Sequence, residues 1–164
     1  MRPFTLVFAS LIIVLTLITL IWKPQERLIW NRTASAPLGL YWLNDGPYAI
    51  GEWAIVSAKS DAGVWSASHG YTSQDWPLIK RVAGLSGDEI CRHGADIVIN
   101  GEGVASAMTA DEKGRPLPVW DGCVLLTDDQ VFLLNAHPDS LDGRYFGPTN
   151  IGDLVGKARK VDLF

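Results

Sequence analysis

The chain opens Met1-Arg2-Pro3 and then runs from Phe4 to Trp22 without one charged side chain. As a helix rising about 1.5 Å per residue, that run reaches roughly 28 Å, close to the hydrocarbon thickness of a bilayer. Trp22 and Lys23 follow where an aromatic ring and a cation would mark the interface. The alternatives are a buried core helix and a cleaved signal peptide. A cleaved signal has a shorter apolar run with a small-x-small site close behind it. Here the nearest such site, Ala34-Ser35-Ala36, lies far past Trp22. We expect residues 1–24 to be an N-terminal transmembrane anchor and residues 25–164 one compact domain. Near the anchor, Arg2 stands on one side and Lys23, Arg27 and Arg32 on the other, so the charge count alone puts the domain in the cytoplasm.

Beyond residue 32 the balance is acidic, with ten cations against seventeen anions. Such a domain has no electrostatic footprint for nucleic acid. No metal-ligand cluster, phosphate loop or nucleotide fingerprint stands out, so neither cofactor nor metal is expected. The cysteines, Cys91 and Cys123, allow one pairing and form no C-x-x-C. They would be a disulfide in an oxidising compartment and buried thiols in the cytoplasm.

Short strand-like runs fill the domain: Trp53–Val56, Leu78–Val82, Cys123–Leu126 and Val131–Leu134. Asp96 to Asn100-Gly101 reads as a strand entering an Asn-Gly hairpin turn. Sixteen glycines and nine prolines punctuate these runs, which favours a mostly-β domain. Residues 57–77, rich in Ser, Ala and Gly with Trp65, Tyr71 and Trp76, have no assignment. A stretch that long is either functional, mobile, or a surface excursion packed over its own aromatics.

Two residues invite chemistry. On a strand over 78–82, Lys80 shares a face with Leu78 and Val82. A lysine held among aliphatic groups loses solvation, its pKa falls, and the neutral amine can act as a general base. The plain alternative is a lysine that snorkels at a sheet edge. Ser35 lies in Thr33-Ala34-Ser35-Ala36-Pro37-Leu38-Gly39, where Pro37 and Gly39 disfavour helix and favour a fixed turn. Thr33 can present a hydroxyl to the same side. The plain alternative is an ordinary turn serine. His69, His93 and His137 all sit beside Gly or Pro without a recognisable motif, which argues against a Ser-His-Asp triad.

Three segments in order resemble the signal peptidase I superfamily, and its conjugal-transfer, TraF-type branch in particular. Thr33 to Tyr41 is similar to that branch's T-x-S-x-P-x-G-L-Y box. Leu78 to Asp88 is similar to K-R-V-x-G-x-x-G-D, and Ser140 to Pro148 resembles S-x-D-S-R-Y-F-G. The resemblance implies a signal-peptidase-like antiparallel β domain behind one transmembrane helix. It implies Ser35 as nucleophile and Lys80 as general base. Thr33 would help the Ser35 N–H bind the oxyanion, Ser140 would hydrogen-bond the lysine amine, and Asp142 and Arg144 would support the site as a charged pair. A Ser-Lys dyad is a known variant of the serine-nucleophile plan. Three departures point away from a housekeeping signal peptidase: the S-M-x-P box is missing, Gly143 replaces a serine, and Leu134-Asn135-Ala136-His137 stands in place of G-D-N-R.

The resemblance further implies a pilin precursor as substrate, inner-membrane lipid and conjugation-apparatus proteins as partners, and an acyl-enzyme resolved by water or by the substrate's own amine, giving a cyclic pilin. Exported precursors present their cleavage sites outside the inner membrane. The domain is therefore expected in the periplasm, against the charge count, with Cys91 and Cys123 bonded. The alternatives are a general signal peptidase and a non-catalytic membrane-tethered β scaffold.

Overall fold

The computed structural model describes residues 3–21 and 27–161. Arg2, Trp22 and Lys23, which flank the expected anchor, lie outside the described residues. Helix α1 spans Pro3–Ile21. Its Phe4, Phe8, Leu11, Ile12 and Leu17 are all exposed, so no one face of the helix is set aside for a core. The hydroxyls of Ser10, Thr16 and Thr19 bond back to carbonyls of the same helix. Among the described residues no helix is long and apolar enough to cross a membrane; α1, charge-free over 19 residues, comes nearest.

The rest is mostly antiparallel β. The strands are β1 (Leu28–Asn31), β2 (Gly39–Asn44), β3 (Trp53–Val56), β4 (Leu78–Gly84), β5 (Glu89–His93), β6 (Asp96–Ile99), β7 (Glu102–Ser106), β8 (Gly122–Leu125), β9 (Gln130–Leu133), β10 (Thr149–Asn150) and β11 (Leu154–Lys160). They form a seven-stranded sheet, ordered β1-β2-β11-β3-β4-β9-β10, and a four-stranded sheet, ordered β7-β6-β5-β8. The β6–β7 turn uses Asn100 and Gly101, both at positive φ (50° and 84°), the conformation an Asn-Gly hairpin turn requires. In the smaller sheet Cys91 and Cys123 face each other on β5 and β8 and are joined by a disulfide.

The centre of the large sheet is covered on both faces. Tyr41, Leu43, Ile55 and Ile79 pack on one face. Ala54, Val56, Val82, Val131 and Leu133 pack on the other, with Leu78 against them. Side chains alternate along a strand, so Lys80, in phase with Leu78 and Val82, faces that second cluster. Its cross-strand neighbour on β3 is the fully buried Ala54. The two-sided cover explains why β3 reads as a continuous apolar run rather than an alternation.

Residues 57–77 contain a short helix, α2 (Asp61–Ser68), capped by Ser60, whose hydroxyl accepts the Gly63 N–H. The excursion is packed over its own aromatics. Trp65 stacks on Tyr71 and on His69 and meets Phe146 edge-on. A last helical turn, α3 (Gly143–Phe146), is capped by Asp142.

Candidate active site

Ser35 sits on the turn between β1 and β2, and one residue shapes that turn. Asn31, at the end of β1, is 2 % exposed. Its amide nitrogen donates to the carbonyls of Thr33 (3.0 Å), Ala36 (3.0 Å) and Pro37 (3.1 Å). Its oxygen accepts from the Thr33 N–H at 3.1 Å and the Thr33 hydroxyl at 3.0 Å. The Tyr41 hydroxyl donates to the Pro37 carbonyl at 2.8 Å. The turn is thus tied to buried groups on both flanking strands. It leaves the half-buried Ser35 with its Oγ 3.4 Å from Thr33 Oγ1.

Lys80 enters from β4. It is 4 % exposed, and its Nζ donates to Ser140 Oγ at 3.0 Å. Burial pushes its pKa down from an ordinary 10.5 to about 8; Asp142 draws it up and Arg144 presses it lower. Lys80 does not snorkel, because β4 lies between β3 and β9 rather than at an edge.

Behind Lys80 lies a closed polar cluster. Arg144 and Asp142 form a bidentate pair, Nε to Oδ1 at 2.8 Å and Nη2 to Oδ2 at 3.1 Å. Both are almost wholly buried, so this is no surface ion pair. Their remaining capacity is used: Arg144 donates to the carbonyls of Pro138 and Asn135, and Asp142 accepts from the Asn135 N–H. The Asn135 side chain in turn holds β4, accepting from the Arg81 N–H at 2.9 Å and donating to the Ile79 carbonyl at 3.1 Å. A buried charge pair is tolerable only when satisfied in this way. The residues that depart from the general signal-peptidase pattern therefore complete the local hydrogen bonding. Gly143 is required by space: a Cβ there would meet Phe132 Cε2 at 2.6 Å and the Leu133 carbonyl at 2.7 Å.

Ser35, Thr33 and Lys80 line one cavity of about 180 Å³, together with Ser66, Trp76 and Leu141. Ser140 joins it through its bond to Lys80. No hydrogen bond joins Ser35 to Lys80 directly among the described residues. His69, His93 and His137 are absent from the cavity's lining. His69 instead contacts the Trp65 carbonyl, and His137 lies near Asp139. Cys91, His93 and Cys123 bring donor atoms within 4.8 Å of one another, but both sulfurs are spent in the disulfide. Chemically, the cavity holds a hydroxyl on a fixed turn, a second hydroxyl beside it, and a desolvated amine near neutrality.

Asn31 and Ser66 were not picked out from the sequence. An asparagine two residues before a turn Thr is the one local sign for Asn31, since such side chains bond to the backbone just ahead of them. Ser66 has no sequence sign, because its burial depends on a helix the composition conceals.

The chain itself falls within a known class. The family model "Signal peptidase, peptidase S26" matches residues 1–161, and the chain belongs to that family. Within it, the chain is similar to the plasmid transfer protein TraF of Escherichia coli, 32% identical over 143 residues and covering 80% of each chain. It is also similar to the conjugal transfer protein TraF of Agrobacterium fabrum, 36% identical over 146 residues, covering 82% of this chain and 81% of that one. The probable conjugal transfer protein TraF of Sinorhizobium fredii is 32% identical over 142 residues, covering 80% of this chain and 74% of that one. A crystal structure of a signal peptidase I from Enterococcus faecalis aligns with TM-score 0.39 and 17% identity, over 69% of this chain and 97% of that chain.

Proposed function

We propose that this chain is a membrane-anchored serine endopeptidase with Ser35 as nucleophile and Lys80 as general base, processing a pilin precursor for conjugative DNA transfer. One observation carries the reading: a turn serine and a buried lysine of pKa about 8 line the same cavity. Neutral Lys80 takes the Ser35 proton as Oγ attacks the scissile carbonyl, and the tetrahedral oxyanion is met by the Ser35 N–H and the Thr33 hydroxyl. Thr33 now donates to Asn31, so it must turn its proton toward the oxyanion when substrate arrives. Lys80 next gives its proton to the leaving amine, and Ser35 carries the new C-terminus as an ester. Water, or the precursor's own free amine, then attacks that ester and restores the hydroxyl. Ser140 holds the lysine amine in place, and Asp142 and Arg144 brace the strand ends around it. Closing the gap between Ser35 and Lys80 is left to substrate binding, as is common for catalytic contacts in free enzymes.

The anchor reading rests on α1. Among the described residues α1 exposes apolar side chains along its length and no core cluster includes any of them, a surface that lipid would cover, and hydroxyls bonded to their own helix cost little there. Leu28, Trp30 and Trp42 add an exposed apolar patch on the β1–β2 hairpin beside Ser35. We place the domain on the periplasmic face, where exported precursors are cut. A reporter fused after Phe164 that is active only in the cytoplasm overturns that placement.

The test is co-expression with the pilin precursor. Wild type shortens it, whereas Ser35→Ala and Lys80→Ala, at normal membrane levels, do not. Processing by Ser35→Ala removes the nucleophile assignment; conjugative transfer that survives both substitutions favours a scaffold. A mature pilin lighter than the linear product by one water identifies cyclisation, and the linear mass rejects it.

A further inference from the structure

Ser66 Oγ is buried, on a residue 1 % exposed, and has no hydrogen-bond partner; no other such side-chain atom occurs among the described residues. An orphaned buried hydroxyl bears its full desolvation penalty, so one that persists calls for a reason. Its neighbours show how easily serines here are satisfied. Ser60 donates to the Ser57 carbonyl while capping α2, and Ser68 bonds back to the Trp65 carbonyl. Ser66 makes no such bond.

Nor can Ser66 escape by turning outward, because α2 is locked about its axis. Gly63, one helical turn before it on the same buried face, already sits against the chain: a Cβ there would meet the Ser57 and Ala58 carbonyls at 2.6 and 2.7 Å. Trp65, the adjacent residue, is pinned in the stack with Tyr71 and against Phe146. With the helix fixed on both sides, Ser66 lines the cavity shared by Ser35 and Lys80. Two other hydroxyls of that wall are engaged. Tyr71 donates to Asp111 at 2.7 Å, and Thr33 donates to Asn31.

We infer that Ser66 is a substrate-binding residue whose hydroxyl donates a hydrogen bond to a main-chain carbonyl of the polypeptide held for attack by Ser35. This rests on the peptidase reading above. An extended chain entering the cavity loses water from its carbonyls and must find donors. Ser66 offers one whose own desolvation has already been met in the folded protein; its Oγ is covered in the peptide-free protein, so the bond forms as the bound segment displaces side chains over it.

The test uses the full-length Ser35→Ala protein in detergent micelles, which binds without cutting, and overlapping synthetic peptides that tile the pilin precursor. Adding Ser66→Ala should weaken the best-bound peptide about tenfold, whereas adding Ser66→Thr should hold it within about threefold. The thermal midpoint of the peptide-free protein should not fall with Ser66→Ala. Equal affinity with and without Ser66→Ala overturns the inference and points to a trapped water as the partner. A lowered midpoint with unchanged affinity overturns it in favour of a packing role. The peptidase reading fails separately, if peptides bind but the protein with Ser35 intact leaves them whole. Absence of any bound peptide removes both.

Discussion

Burial sets the chemistry of Lys80, and it makes two predictions. If the neutral amine is the base, kcat/KM for precursor cleavage rises with pH as one group loses its proton, with a midpoint near 8. A profile flat from pH 6 to 10 contradicts this. The same shift affects stability. Below pH 8 the folded protein carries a buried cation and bears the full penalty, about 3 kcal/mol for a fall from 10.5. Between pH 8 and 10.5 the unfolded chain holds a proton that the folded chain does not, so stability rises with pH across that window. Lys80→Met removes the charge in both states. It should be inactive yet at least as stable as wild type at pH 7, and its stability should lack that rise, as read by urea unfolding at several pH values. Gly143 gives a third prediction. Restoring the serine of the wider pattern, Gly143→Ser, forces a Cβ onto Phe132 and should cost about 1–3 kcal/mol in the same assay. An unchanged urea midpoint would mean that Phe132 yields freely.

At the scale of elements, the nucleophile turn depends on β1 and β2, and through them on Asn31. Asn31→Ala would strand the carbonyls of Thr33 and Ala36, leave that of Pro37 to the Tyr41 hydroxyl, and free Thr33 from Asn31. A displaced turn misaims Oγ, so kcat should fall about 10- to 100-fold with little change in KM. Wild-type kcat in this variant would show that the turn is held by Tyr41 alone. The strands that showed in the sequence were those carrying aliphatic runs, β3, β4, β6, β8 and β9. The hidden ones have physical reasons. β5 buries Arg92, satisfied by the Gly94 and Arg144 carbonyls, and β11 buries only Ala158 among lysines and an arginine. Composition cannot reveal a charge paid for by hydrogen bonds elsewhere in the chain. α2 is hidden similarly, a short helix of small residues held by the Trp65 stack rather than by periodicity. For the site, the strand phase of Lys80 was legible, and the three boxes marked Ser35, Thr33, Ser140, Asp142 and Arg144. Asn135 and Ser66 were not, because contacts and packing remote in sequence give them meaning, and Asn31 had only the turn Thr two residues on as a sign.

Taken as a whole, the molecule divides its labour by region. α1 offers a charge-free apolar surface, and the β1–β2 hairpin carries Ser35 beside exposed Leu28, Trp30 and Trp42. The four-stranded sheet with its disulfide extends from the strands that hold Lys80 and the Arg144 cluster, sharing Phe132 with their core. On the anchoring proposed above, a nucleophile held near lipid suits a substrate that is itself presented at a membrane. The proposed reaction turns on one covalent bond, the ester between Ser35 and the new C-terminus of the substrate. The direct measurement is intact-protein and peptide mass spectrometry of wild-type enzyme mixed with pilin precursor and quenched in acid within the first turnover. Nucleophilic attack by Ser35 predicts an adduct equal to the processed acyl segment less one water, mapped to the peptide containing Ser35 and absent from Ser35→Ala. An adduct mapped to another residue, or complete processing by Ser35→Ala, would contradict it.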